Sequence, residues 1–166
     1  MKIFLIGMPG SGKSTLGKEL ASHLQVDFVD LDSEIEMFEQ KSIPEIFNQQ
    51  GETHFRLLEA RLLREWAGGT HHFIMATGGG APCFFKGMET INQNGLSIFL
   101  DVHITELADR VRENQERPLL QSSDEPGLKE KLQALREQRL ACYQQAKIII
   151  ENPSLEAVLK KIQAIS

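Results

Sequence analysis

The sequence predicts an α/β, three-layer fold in which a five-stranded parallel sheet is flanked by helices. Three observations predict it. Five short apolar segments alternate with helix-patterned sequence along the chain, and that alternation closes as a parallel sheet with right-handed crossovers. The first apolar segment runs straight into a glycine-rich turn, and ligands of such folds bind at the carboxyl ends of the strands. At 166 residues the chain can bury roughly 70% of the surface its unfolded form exposes, which suits one domain over residues 1–166 with no disulfide or metal staple.

Residues 3–6, 28–31, 73–76, 97–102 and 148–150 read as the strands. After the first, Leu16, Leu20 and Leu24 recur at four-residue spacing with Ala21 beside them, one apolar helix stripe. After the second, Ser33 with Glu36 and Ser42 with Glu45 both have capping-box spacing, and Pro44 suits a first turn, so two short helices are expected. Phe55, Leu58, Leu62 and Trp66 then mark a longer helix over about 52–67, ended by Gly68-Gly69. The last helix follows Asn152-Pro153 and carries Leu155, Val158, Leu159 and Ile162 on one face. Residues 121–127 are polar and acidic and form the one loop-like stretch, a candidate mobile lid extending over about 112–127.

Composition excludes several classes of function. Eighteen Lys+Arg stand against 23 Asp+Glu, a net charge of -5 without a block of like sign, which argues against disorder and against nucleic acid as a partner. No apolar run approaches the roughly 20 residues of a membrane helix, and the first residues are too short for a signal-peptide core. A cytoplasmic location and a monomeric state are the default expectations. Cys83 and Cys142 stand far apart without metal-ligand spacing and read as two reduced thiols. The five histidines show neither triad nor ligand spacing.

The strongest chemical signal is Gly7-Met8-Pro9-Gly10-Ser11-Gly12-Lys13-Ser14, which fits G-x-x-x-x-G-K-[ST] between an expected strand and an expected helix. Glycines there let backbone N–H groups converge on phosphates at a helix N-terminus, where the dipole also favours negative charge. Lys13 would bridge the outer phosphates and Ser14 would ligate Mg²⁺. Asp30 and Asp32 close the second strand two residues apart, a spacing that in extended chain puts both carboxylates on one face. One would serve a metal and the other a substrate hydroxyl; the alternative is that Asp32 only caps the helix opening at Ser33. Thr77-Gly78-Gly79-Gly80-Ala81 follows the third strand, and three glycines in a row imply either a close approach to the backbone or a tight turn without ligand. Arg56, with Glu59 three residues on, reads by itself as half of a solvated ion pair, and Arg110, Arg112, Arg117, Arg136 and Arg139 read the same way singly.

Together these features resemble the shikimate kinases, small phosphate-loop kinases of the nucleoside-monophosphate-kinase-like group. The marks are the phosphate loop ending Gly12-Lys13-Ser14-Thr15, the Asp30-Leu31-Asp32 pair, Ile46-Phe47, Gly51-Glu52, Phe55-Arg56-Leu57-Leu58-Glu59, the glycine triplet, Arg117-Pro118-Leu119-Leu120, and Arg139 four residues before Tyr143. The resemblance spans nearly the whole chain. It implies transfer of the γ-phosphoryl of ATP to the 3-hydroxyl of shikimate, on the route to chorismate and the aromatic amino acids. It further implies that Gly10, Ser11, Gly12, Lys13, Ser14 and Thr15 bind ATP, with Arg110 and Pro153 flanking the adenine and Arg117 swinging in from the lid. Asp30 would hold Mg²⁺ through water alongside Ser14. Asp32 would bind the acceptor hydroxyls, Arg56 and Arg139 would clamp the shikimate carboxylate, Gly78, Gly79 and Gly80 would complete the pocket, and Phe47 and Phe55 would wall it. Two rivals are a gluconate kinase on the same scaffold and a nucleotide-binding regulator. Arg56, Arg139 and the triplet favour shikimate, and Asp32 speaks against a pure binder.

Overall fold

A computed structural model describes residues 1–113 and 125–165. Its strands are β1 (Lys2–Ile6), β2 (Asp27–Asp30), β3 (Phe73–Ala76), β4 (Leu96–Leu100) and β5 (Ile148–Ile150), and the helices among the described residues are α1 (Lys13–Leu24), α2 (Leu31–Glu39), α3 (Ile43–Gly68), α4 (Gly87–Asn94), α5 (Ile104–Glu113), α6 (Glu125–Tyr143) and α7 (Leu155–Gln163). All strands pair in parallel in the order β2-β3-β1-β4-β5. The expected α/β class and all five strands are present, β1, β2 and β4 with shifted ends.

Parallel strands covered on both faces read as unbroken apolar runs, and β1 shows how one run serves two cores. Ile3 and Leu5 join Leu16 and Leu20 of α1 and Val158 and Ile162 of α7, whereas Phe4 and Ile6 join a core built with α2 to α6. Residues 3 to 6 are all fully buried, each contributing about 1.5–3 kcal/mol of hydrophobic stabilisation. This two-sided burial makes the three layers.

The Ser42 cap is a complete capping box with Glu45, and Pro44 sits in the first turn as expected. Gly51, at φ 84°, interrupts α3 and divides the short helix after Ser42 from the longer one beginning at Glu52. The expected cap at Ser33 is not formed. Helix α2 begins at Leu31, and the Asp30 carboxylate caps it by accepting from the N–H groups of Asp32 (3.0 Å) and Ser33 (3.4 Å). Asp32 therefore lies in the first turn of a helix and not at the end of a strand. The reason is local: once Asp30 satisfies the first amides, nothing holds residues 31 and 32 extended.

Arg117, with residues 114–124 of the expected lid, lies outside the described residues; 112–113 end α5, and 125–127, expected as loop, open α6. No helix among the described residues is long and apolar enough to cross a membrane. Parallel register pairs both Leu5 and Asp30 with Ala76. The turn after β1, the Asp30 carboxylate and the glycine triplet after β3 thus leave the sheet side by side at one edge.

Candidate active site

Between β1 and α1 the chain wraps an open loop whose Gly12 takes φ 85° as it caps α1, a left-handed value that L side chains rarely adopt. The loop and the N-terminal end of α1 line a cavity of about 660 Å³. Lys13 is 6% exposed, and its ammonium folds back over the loop, donating to the carbonyls of Gly7 (2.9 Å) and Met8 (2.8 Å) and to Ser11 Oγ (3.2 Å). One residue on, Ser14 Oγ donates to Asp30 Oδ2 at 2.8 Å. The other oxygen of Asp30 caps α2, so a single carboxylate ties the phosphate loop to the second strand and helix.

The same cavity is lined by Gly10, Ser11, Gly12, Lys13, Ser14, Thr15, Asp30, Asp32, Gly78, Gly79, Arg110 and Pro153. Twelve residues named from sequence thus share one wall system. Arg110 is fixed there by donating to the Gly10 carbonyl (3.2 Å) and to Glu106 Oε1 (2.6 Å).

Arg56, Arg139, Gly80, Phe47 and Phe55 are not part of that lining; Arg56 and Arg139 press on the glycine triplet, and the Phe55 ring lies 5.2 Å from Arg56 Cζ. None of the three glycines has a positive φ; they are small because charged side chains press on them. A Cβ on Gly78 would stand 2.9 Å from both Asp32 Oδ1 and Glu59 Oε2, one on Gly79 would stand 2.8 Å from Arg139 Nη1, and one on Gly80 would stand 2.6 Å from the Arg56 Cζ. The close approach expected of the triplet is therefore an approach of side chains. Phe47 and Phe55 lie side by side with ring centroids 4.7 Å apart.

The bland reading of Arg56 as a solvated partner of Glu59 is overturned. Arg56 is 5% and Glu59 1% exposed, and Arg56 Nη1 donates to Glu59 Oε1 at 2.8 Å. Glu59 Oε2 has no hydrogen-bond partner among the described residues. Burial pushes the Glu59 carboxyl up to about 7; the Arg56 charge and hydrogen bond oppose that rise, and the nearby Asp32 charge adds to it. Arg139 is likewise buried, and Arg136 is held by Asp101 at 2.9 Å in a half-buried pair 35 residues apart, not a solvated local one.

Two participants escaped the sequence reading. Glu59 was visible only as an i,i+3 neighbour of Arg56, and its burial carried no sequence signal. Tyr143 is fully buried and donates its hydroxyl to the Gly79 carbonyl at 2.6 Å, pinning the triplet to α6; its place one turn beyond Arg139 was the available clue. Cys83 and Cys142, distant in sequence, also meet here. Cys142 and burial both push the Cys83 thiol up, while Cys83 pulls Cys142 down against the effect of burial.

The sequence model of the family described as shikimate kinase matches residues 9–165. The chain belongs to the shikimate kinase family. It is 41% identical to the shikimate kinase of Bacteroides thetaiotaomicron over 157 residues, covering 94% of this chain and 89% of that one. The crystal structure of a shikimate kinase from the same organism superposes with a TM-score of 0.89 at 38% identity, covering 99% and 97% of the two chains. A shikimate kinase from Acinetobacter baumannii, solved in complex with shikimate, also gives a TM-score of 0.89, at 33% identity and with 99% and 92% covered. Shikimate kinases are ATP-dependent kinases, and that activity implies a divalent metal. The residues fit one: Ser14 Oγ and Asp30 Oδ2 are hard oxygen donors 2.8 Å apart at the mouth of the phosphate loop.

Proposed function

We propose that this chain, acting as a single kinase domain over residues 1–166, transfers the γ-phosphoryl of ATP to the 3-hydroxyl of shikimate, giving shikimate 3-phosphate and ADP for chorismate and aromatic amino acid biosynthesis. The carrying observation is the convergence of two buried arginines, Arg56 and Arg139, on the glycine triplet that borders Asp32 and the phosphate-loop cavity. A planar guanidinium suits a planar carboxylate, so the arrangement supports an acceptor that is a small hydroxylated acid.

Phosphoryl transfer asks a protein mainly for positioning and charge neutralisation. Lys13 exchanges its loop carbonyls for the outer phosphate oxygens, and the amides of residues 10–15 hold the rest of the chain of phosphates. Ser14 and Asp30 would hold Mg²⁺, which would supply further positive charge to the phosphates. Asp32 orients the 3-hydroxyl in line and takes its proton as the new O–P bond forms and the bond to ADP breaks. Arg56 and Arg139 clamp the carboxylate, Gly78, Gly79 and Gly80 leave room for it, and Phe47 and Phe55 wall the ring. Arg110 and Pro153 flank the adenine, and Arg117 adds its charge to the phosphates. The enzyme works as a cytoplasmic monomer. An ADP-release assay run in parallel with shikimate and gluconate tests the reading: ADP formation dependent on shikimate alone is expected, and equal or greater turnover of gluconate overturns it.

A further inference from the structure

We propose that Phe84 is a positioning residue for Arg56, its ring holding the guanidinium so that the arginine's remaining edge faces the acceptor carboxylate. The inference rests on the shikimate reading above and deepens it. Arg56 is buried, yet its donors are unevenly engaged. Nη1 is committed to Glu59, while Nε is buried without a hydrogen bond among the described residues, Glu52 Oε1 standing 3.6 Å away. A guanidinium waiting for a bidentate ligand must be kept in one plane by something other than hydrogen bonds.

The Phe84 ring does this. Its centroid lies 4.3 Å from Arg56 Cζ, closer than the Phe55 ring at 5.2 Å. Phe84 belongs to neither hydrophobic core and is 36% exposed, so core packing does not account for its place. The backbone behind it is strained: Phe85 and Lys86 take φ of 46° and 60° in succession. The turn is closed by the Gly87 N–H donating to the Phe84 carbonyl at 2.9 Å, and Gly87 lies so close against the Ala81 carbonyl that no side chain fits. Consecutive left-handed L-residues persist where the surroundings over-determine them, and such strain gathers at ligand clamps. Here it fixes a ring over a guanidinium that is itself buried, which strengthens the cation–π attraction.

Calorimetric titration of the full chain with shikimate and, separately, with ATP tests this. Phe84→Ala should raise the shikimate Kd about tenfold, a loss in the range of a desolvated cation–π contact, and leave the ATP Kd unchanged. Phe84→Tyr should bind shikimate like the wild type, while Phe84→Leu, apolar but without a ring face, should not. In an Arg56→Ala background, Phe84→Ala should cost nothing further. Wild-type affinity in Phe84→Ala, full rescue by Leu, or an additive loss in the double variant overturns the inference alone. An Arg56→Ala protein that binds shikimate normally overturns it together with the acceptor-site reading.

Discussion

Lys13 and Asp32 are the two side chains whose chemistry can be separated from their structural work. The Lys13 ammonium is bound by loop oxygens and belongs to no apolar core. Lys13→Met should therefore leave a folded protein without measurable turnover, and a folded Lys13→Met enzyme of wild-type activity would contradict its role on the phosphates. For Asp32 the sequence left open a cap or an acceptor-side carboxylate, and the cap has turned out to be Asp30. Asn at position 32 keeps the shape and removes the charge. Asp32→Asn should lower kcat by about 10²-fold or more, the usual contribution of a positioned acid–base group, with ATP affinity and Tm close to wild type. An active Asp32→Asn enzyme would remove the carboxylate from the mechanism.

At the scale of elements, the segment after β3 matters most, because its three glycines are defined by what presses on them. Gly80 has φ -87°, a backbone that alanine adopts without strain, so Gly80→Ala adds only a methyl group against the Arg56 guanidinium. That group is the end of a flexible side chain and can yield. The expected outcome is a Tm lowered by a few degrees as Arg56 yields on its buried pair with Glu59, a shikimate Kd raised roughly tenfold or more as Arg56 loses its charge-assisted geometry, and an unchanged ATP Kd; equal losses for both ligands would show that the methyl group disturbs the whole edge. Sequence made the triplet visible but not its reason, since the arginines and Glu59 reach it from α3 and α6, far along the chain. The same limit explains α2. The Ser42–Glu45 box was legible because it is a local reciprocal pair, and the strands were legible because two-sided burial demands unbroken apolar runs. At Asp30-Leu31-Asp32, by contrast, two local readings competed, and the spacing alone could not say that the first aspartate would cap and the second would enter the helix. Arg56 and Arg139 carried no local sign of burial at all; only the family pattern raised them above surface ion pairs.

Across the whole molecule, the cluster that favours an acidic ligand weighs against the stability of the fold, and Glu59 is where that opposition can be measured. Its carboxyl is pushed up to about 7 in the folded protein from an ordinary 4.5, burial outweighing the pull of Arg56. The sign follows from linkage: a group whose folded pKa is raised contributes stability that is full below its unfolded pKa and lost as pH rises through the folded one. Between about pH 4.5 and 7 the native state holds a proton that the unfolded chain has released, so this residue alone lowers stability across that window by on the order of 3 kcal/mol. Glu59→Gln keeps an oxygen that can accept from Arg56 Nη1 and has no charge to desolvate. The variant should match the wild type in Tm near pH 5 and exceed it by several degrees at pH 8, since about 1 kcal/mol shifts Tm by roughly 2–4 °C at this size. The opposing force is the buried Arg56 charge, which loses its partner in the variant, and breaking a buried pair is ordinarily costly. If that loss dominated, Glu59→Gln would melt below the wild type at pH 8 and the gap would close on acidification as wild-type Glu59 took up its proton. Thermal melts of the two proteins from pH 5 to 8 separate these outcomes by the sign of the difference.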